Sequence, residues 1–155
     1  MIICDAGPLI ALAGIGQLEL LRDLFGEALL PEEVQSEVEA GGSSGADASL
    51  IQGSPWLRVI RLSQKADPLL DCGEAATIAP AIQRSASLVL MDEVKARRVA
   101  RNVYGLAVIG AGRLLVEAKR ASLIRRVRPL IEQMRSNGYW MSDKIVAEIF
   151  RQAGE

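Results

Sequence analysis

Four acidic residues stand where the chain is expected to change direction. Asp5 ends the apolar run MIIC and Asp92 ends SLVLM. Glu74 lies in the first turn of a segment beginning at Asp71, and Glu37 lies on the segment after ALL. Carboxylates drawn together from segments this distant repel one another unless a cation lies between them. A divalent ion meets that need: Mg2+ and Mn2+ prefer oxygen ligands, and Mg2+ usually keeps several waters. An ion held this way activates water and stabilises the charge that develops on a phosphate during in-line attack. Such chemistry suits a chain with no histidine. A Ser-His-Asp triad, a Cys-His pair and a histidine zinc site are all excluded. The same acids also have a purely structural reading. Asp5, Asp71 and Asp92 each precede an expected helix, where Asp is a favoured N-cap. Asp71 and Glu74 have the spacing of a capping-box variant, and Glu37 fits a solvated helix face.

The elements that must position these acids follow from hydrophobic pattern. MIIC, ALL, WLRVIRL, SLVLM and LAVIG read as short strands. Helices are expected between them: PLIALAGI and LELLRDLF, PEEVQSEVEA with Pro31 at its start, and 71–85 around Pro80. The next carries Ala96, Val99, Ala100 and Val103 on one face. GGSSGADAS reads as a flexible, loop-like stretch that follows the Glu37 helix. After LAVIG, helices are expected near 112–121, 128–136 and 142–152, the last capped by Ser142. Ile145, Val146, Ile149 and Phe150 make an apolar stripe on it, expected to fold back on the preceding helix through Leu130 and Met134 or to contribute to a homodimer. Strands alternating with helices give an α/β fold with a parallel sheet covered on both faces. In such sheets sites form at the carboxyl ends of the strands, which places Asp5 and Asp92 on one edge.

Composition sets the outer limits. The 155 residues suit one domain, 1–155, with 123–155 as a helical C-terminal appendage. Half the residues are hydrophobic and only 4% aromatic, so the core should be aliphatic. The net charge of −1 argues against a surface basic all over but leaves room for local patches. Two such patches are visible. DEVKARRVARN carries Lys95, Arg97, Arg98 and Arg101 away from its apolar face, where they could hold an RNA backbone beside the acids, and KRASLIRRVR has five basic residues in ten. Either could instead be a solvated face. Trp56, Tyr104, Tyr139 and Trp140 are scattered, so no aromatic platform for base readout is visible. Cys4 and Cys72 form neither a disulfide framework nor a CxxC metal pattern, in keeping with a cytoplasmic protein. The first twenty residues read as neither signal peptide nor membrane span. VIGAGRLL lacks the third glycine of a dinucleotide fingerprint.

CDAGPLIALAGIGQLELL, LLPEEVQSEV, LDCGEAATIAPAI and LVLMDEVKARRVA, in this order, resemble a prokaryotic, VapC-like branch of the PIN-domain family. The likeness extends through SDKIVAEIFRQAGE. It implies a three-layer α/β/α sandwich with a central parallel sheet, extended here by C-terminal helices. It implies a metal-dependent ribonuclease using Mg2+ or Mn2+, acting on RNA, and in many members the toxin of a toxin-antitoxin pair restrained by an antitoxin protein. The family's acidic quartet carries over onto Asp5, Glu37, Glu74 and Asp92, with Glu33 close to Glu37. Asp5, Glu74 and Asp92 are the implied metal ligands. Gly7 stands where PIN nucleases often have Ser or Thr, and Glu93 directly follows Asp92. A PIN-fold module that binds RNA or a protein partner without cutting is the alternative.

Overall fold

The computed structural model describes residues 1–40, 45–61 and 72–155, with the side chains of 45–46 and 72–75 outside that description. Five strands among the described residues form one parallel sheet: β1 (Ile2–Cys4), β2 (Ala28–Pro31), β3 (Leu57–Ile60), β4 (Leu88–Leu90) and β5 (Val108–Ile109). Their spatial order is β3-β2-β1-β4-β5. The chain therefore winds outward from β1 in one direction, returns, and winds outward from β4 in the other. The reversal lies between β1 and β4, which pair with Cys4 opposite Leu90. A crevice opens at such a reversal beyond the carboxyl ends of the strands, and ligands of open α/β sheets bind there.

Nine helices are found among the described residues: α1 (Ala6–Gly14), α2 (Leu20–Phe25), α3 (Glu32–Ala40), α4 (Gly45–Gln52), α5 (Cys72–Gln83), α6 (Val94–Asn102), α7 (Ala111–Arg120), α8 (Arg128–Ser136) and α9 (Asp143–Ala153). The strand period of two divides the apolar residues between the two faces of the sheet. Ile2, Cys4, Leu30, Leu90 and Ile109 join one cluster with α1, α7, α8 and α9. Ile3, Leu29, Val89 and Met91 join the other with Ile78 of α5 and Ala96 and Ala100 of α6. This is the α/β/α arrangement that the strand-helix alternation implied. The fully buried members of both clusters are without aromatics, and Phe25, Trp56, Tyr139 and Phe150 pack at the margin of the first and Tyr104 at the margin of the second.

Three local expectations need correction. Pro31 closes β2, opposite Ile60, and α3 begins one residue later. Pro31 is the last residue of its strand, where a missing N–H interrupts little of the ladder. The GGSSGADAS stretch divides: 41–44 lie outside the described residues, and Gly45 onward forms α4, with Ile51 buried. ADASLIQ supplies enough helix formers to override its glycine and serine neighbours. Val103 follows the end of α6 and is 65% exposed, so the apolar face of that helix stops at Ala100.

The C-terminal helices pack onto the β1–β4–β5 half. Pro129 occupies the first turn of α8, where its missing N–H has no intrahelical partner to lose. Ser142 caps α9 through its Oγ, which accepts from the Ile145 N–H at 3.2 Å. The main seat of α9 is α7 rather than α8. A Cβ at Gly112 would fall 2.2 Å from Ile149 Cδ1, so the glycine lets the two helices approach closely. Val146 and Ile149 are buried, Met134 of α8 lies in the same cluster, and Ile145 faces outward. The basic run after α7 anchors this assembly: Lys119 Nζ donates to the Glu155 carboxylate at 3.0 Å, the Val127 N–H donates to it at 2.6 Å, and Arg128 lies 4.0 Å over the Phe150 ring. Lys119 and Arg128 at the two ends of KRASLIRRVR are thus engaged within the fold. Ile149→Ala should cost about 2–5 kcal/mol in chemical denaturation. Light scattering should show unchanged mass, because the surface that Ile149 covers belongs to its own chain.

Candidate active site

Asp5 follows β1 by one residue and Asp92 follows β4 by two, so both emerge at the reversal of the sheet. The parallel ladder continues into these turns. The Asp5 N–H donates to Leu90 O at 2.9 Å, and the Met91 N–H donates to Ile109 O at 3.0 Å. The backbone under both carboxylates is therefore as fixed as the strands.

Asp5 occupies the N-cap position of α1, yet its side chain makes no capping bond. Its Oδ1 instead accepts a hydrogen bond from Thr77 Oγ1 at 3.0 Å. Thr77 is completely buried on α5. Gly7 and Pro8 lie in the first turn of α1, where the proline again sacrifices no helical bond. Burial pushes the Asp5 pKa upward. Thr77 and the Ala6 N–H oppose that shift, and the charges of Asp92 and Glu93 add to it. Glu37 on α3 is raised too, by burial and by the charge of Asp5. Asp5 thus has the acidic neighbours Asp92 and Glu93 across the reversal and Glu37 on α3. Glu37 is nonetheless exposed by surface area, as is Glu33 one turn earlier, so burial acts on it far less than on Asp5.

Asp92 is held from two further elements. The Ala111 N–H donates to its Oδ1 and Oδ2 at 3.1 and 3.2 Å. Ala111 is the first residue of α7, so the carboxylate meets the positive end of that helix. The Tyr139 hydroxyl donates to Oδ2. Burial raises the Asp92 pKa, whereas Tyr139, Ala111 and the Arg97 guanidinium pull it down. Burial and the Asp92 charge push the Tyr139 pKa far up, so the phenol remains a donor. There is no room for a side chain at 110: a Cβ there would lie 2.4 Å from Asp92 Oδ1. Glu93, not Asp92, caps α6, its carboxylate accepting from the Lys95 and Ala96 N–H groups at 3.0 and 2.6 Å. The capping reading thus passes to Glu93, and Asp92 is left for the site.

Glu74 lies in α5 one turn before Thr77, but its side chain is outside the described residues, as is Asp71. Among the described residues no three acidic or thiol side chains converge as a metal set. The acids brought together there are Asp5 and Asp92, with Glu37 beside Asp5. Of the basic residues, Arg97 is half-buried next to Asp92, and Arg97 and Arg101 line a groove that starts there. Arg101 also donates to Val108 O at 2.9 Å. Arg98 lines a smaller hollow on α6 that shares Arg97 and Arg101 with this groove, and Lys95 is exposed at the start of the helix. Buried Cys4 has its pKa pushed up by burial and by Asp5, so it is no ready thiolate. Sequence reasoning missed Thr77, Ala111 and Tyr139. Only Tyr139 offered a signal, as a polar aromatic directly after the turn residues Asn137 and Gly138.

A doubly wound α/β fold with desolvated carboxylates at its reversal defines the class of protein. A family model described as a PIN domain matches residues 1–155, and the chain belongs to the PIN-domain family. The same comparisons matched no curated protein and no solved structure.

Two outcomes follow from this geometry. Tyr139→Phe removes a donor to a charged carboxylate, which should cost about 1.5–3 kcal/mol of stability in denaturation. Carboxyl NMR should then show Asp92 titrating at higher pH than in the wild type. For Asp5, a raised folded-state pKa means that the folded state holds its proton more tightly than the unfolded chain. Ionised Asp5 therefore destabilises the metal-free fold above its folded pKa, and the effect is gone below its unfolded pKa of about 3.9. Asp5→Asn should melt at a higher temperature than wild type at neutral pH in chelator, and the gain should vanish as the pH falls towards that value.

Proposed function

We propose that the protein is a metal-dependent endoribonuclease that hydrolyses RNA phosphodiester bonds, with Asp5, Glu74 and Asp92 as ligands of Mg2+ or Mn2+. The observation that carries this reading is the pairing of Asp5 and Asp92 at the reversal, each with its pKa raised by burial. Two desolvated anions side by side suit a hard cation between them, and the donor set is all oxygen. Membership of a nuclease-type fold family whose members generally use divalent ions supports it further. A bound ion would supply Lewis-acid stabilisation of the phosphate and an activated water.

The protein's own residues prepare for that chemistry. Thr77 and Ala111 orient the two carboxylates, and the Tyr139 hydroxyl favours the anionic form of Asp92 against the effect of burial. Glu37 binds a second ion or orients the attacking water. Arg97, with Lys95, Arg98 and Arg101 along α6, holds the phosphate backbone. Gly7 leaves the start of α1 without a side-chain hydroxyl. We assign the protein the role of a VapC-like toxin, acting in the cytoplasm and restrained by an antitoxin. The sequence resemblance supports this assignment, and among the described residues no helix is long and apolar enough to cross a membrane.

Purified protein should cleave RNA with Mg2+ or Mn2+ and lose that activity in chelator. Asp5→Asn and Asp92→Asn should each lose about 100-fold or more, corresponding to about 2.7 kcal/mol of barrier. At metal concentrations about 100-fold above Kd, wild type should gain about 2.7 kcal/mol of stability, and neither variant should gain as much. Equal cleavage in chelator would overturn the mechanism. RNA binding without cleavage under any divalent ion would establish the binding-module alternative.

A further inference from the structure

A groove of about 460 Å³ starts at Asp92 and Tyr139 and runs between α6 and α9. Its floor is apolar and already buried by the protein itself, through residues such as Ile109 and Ile149. Its rim is of a different kind. Trp140 stands there 78% exposed, although an indole is among the costliest side chains to leave in water. Arg97, Arg101 and Lys144 share the rim. The acid further along, Glu148, is already engaged by Arg151 at 2.5 Å and by Gln152 at 2.7 Å. Apart from Asp92, the unneutralised charge facing the groove is therefore positive.

We propose that this groove seats one nucleotide of single-stranded RNA, with its base stacked on the Trp140 indole and its flanking phosphates facing Arg97, Arg101 and Lys144. The inference rests on the nuclease reading only for the position of that nucleotide, next to the phosphate that is cut. Three features favour RNA over a protein segment. The rim is cationic, and an apolar partner would have to desolvate those charges. The indole offers a flat face that any base can cover. The groove begins at Asp92, one of the two carboxylates at the sheet reversal. Only an unpaired base can leave its neighbours to lie on the indole, so the site selects single strands. Trp140 follows Tyr139 directly, so the residue that fixes Asp92 also sets the distance from the cleavage point to the stacked base.

The chain has two tryptophans, so Trp56→Phe leaves Trp140 as the sole indole reporter. Full-length Trp56→Phe protein is titrated in chelator at low salt with an eight-residue oligouridylate, and separately with the same strand annealed to its complement. The single strand should quench Trp140 fluorescence and the duplex should not. Trp140→Ala should bind the single strand about tenfold or more weaker, Trp140→Phe should keep most of the affinity, and melting temperatures should be unchanged. Lys144→Ala should weaken binding and flatten its salt dependence. Unchanged affinity in Trp140→Ala overturns the proposal. So does a Trp140 signal that follows protein concentration without RNA, because a second copy would then cover the indole. If the metal-loaded enzyme cleaves RNA while Trp140→Ala retains wild-type Kd and KM, the subsite is wrong and the nuclease reading stands. If Trp140 reports single-strand binding but no divalent ion supports cleavage, the subsite stands and the nuclease reading falls.

Discussion

Two carboxylates held partly out of water at the same sheet reversal are the constraint on which the rest of the site depends. Burying an anion is costly unless donors or a cation meet it. Asp5 has the Thr77 hydroxyl, and Asp92 has the Ala111 N–H at the start of α7 and the Tyr139 phenol. These bonds lower both pKa values without overcoming burial, and each stays raised from the ordinary aspartate value. The free protein is therefore left with negative charge at one point that these donors and the nearby Arg97 relieve only in part. A fold selected for stability alone would place apolar residues there. Keeping paired acids instead fits a site whose partner is a cation, and active sites commonly trade stability for such an arrangement.

The C-terminal helices bear directly on that constraint. The turn between α8 and α9 carries Asn137, Gly138, Tyr139 and Trp140 in sequence. Asn137 Nδ2 donates to Gly14 O at 3.0 Å, tying the turn to the far end of α1, while Tyr139 reaches Asp92. Gly138 has φ +92°, a conformation costly for any residue with a side chain, and it lets the chain turn between these two attachments. Behind the turn, α9 lies on α7 through the Gly112–Ile149 contact, and α7 is the helix whose first N–H holds Asp92. The helices beyond residue 123 brace the element that positions the Asp92 carboxylate and also supply one of its donors.

Much of this was legible in sequence wherever a signal was local. Apolar runs of strand length ending on Asp5 and Asp92 located both acids, because strand ends and sheet edges coincide in parallel α/β folds. The alternation of strands and helices gave the layers. What could not be read depends on contacts between distant positions. Thr77 looks like one more small residue in an apolar helix until α5 is laid over β1. Tyr139 lies 47 residues from Asp92 and meets it only because α8 and α9 fold back over the sheet. The basic run KRASLIRRVR resembles a nucleic-acid patch in composition, yet Lys119 and Arg128 are committed to Glu155 and Phe150. Composition also misled at Gly45–Gln52, where glycine and serine masked a helix that Ile51 anchors in the core.

In a parallel α/β sheet the residue that ends a strand is often the residue that must start a helix. Capping and chemistry then compete for one side chain. An aspartate whose oxygens accept from the N–H groups of its own helix cannot turn towards a ligand. The chain resolves this conflict in two ways. After β4 it uses consecutive acids: Glu93 satisfies the Lys95 and Ala96 N–H groups of α6, and Asp92 is released to meet the start of a different helix, α7. After β1 there is no second acid, and the first turn of α1 goes without a side-chain cap so that Asp5 can face Thr77 and the reversal. Pro8 reduces the consequence, since one of the N–H groups that a cap would have served does not exist. The adjacent Asp92-Glu93 pair and the Asp5-Ala-Gly-Pro8 turn are therefore two solutions to the same problem, and both leave an aspartate free at the edge where the sheet reverses.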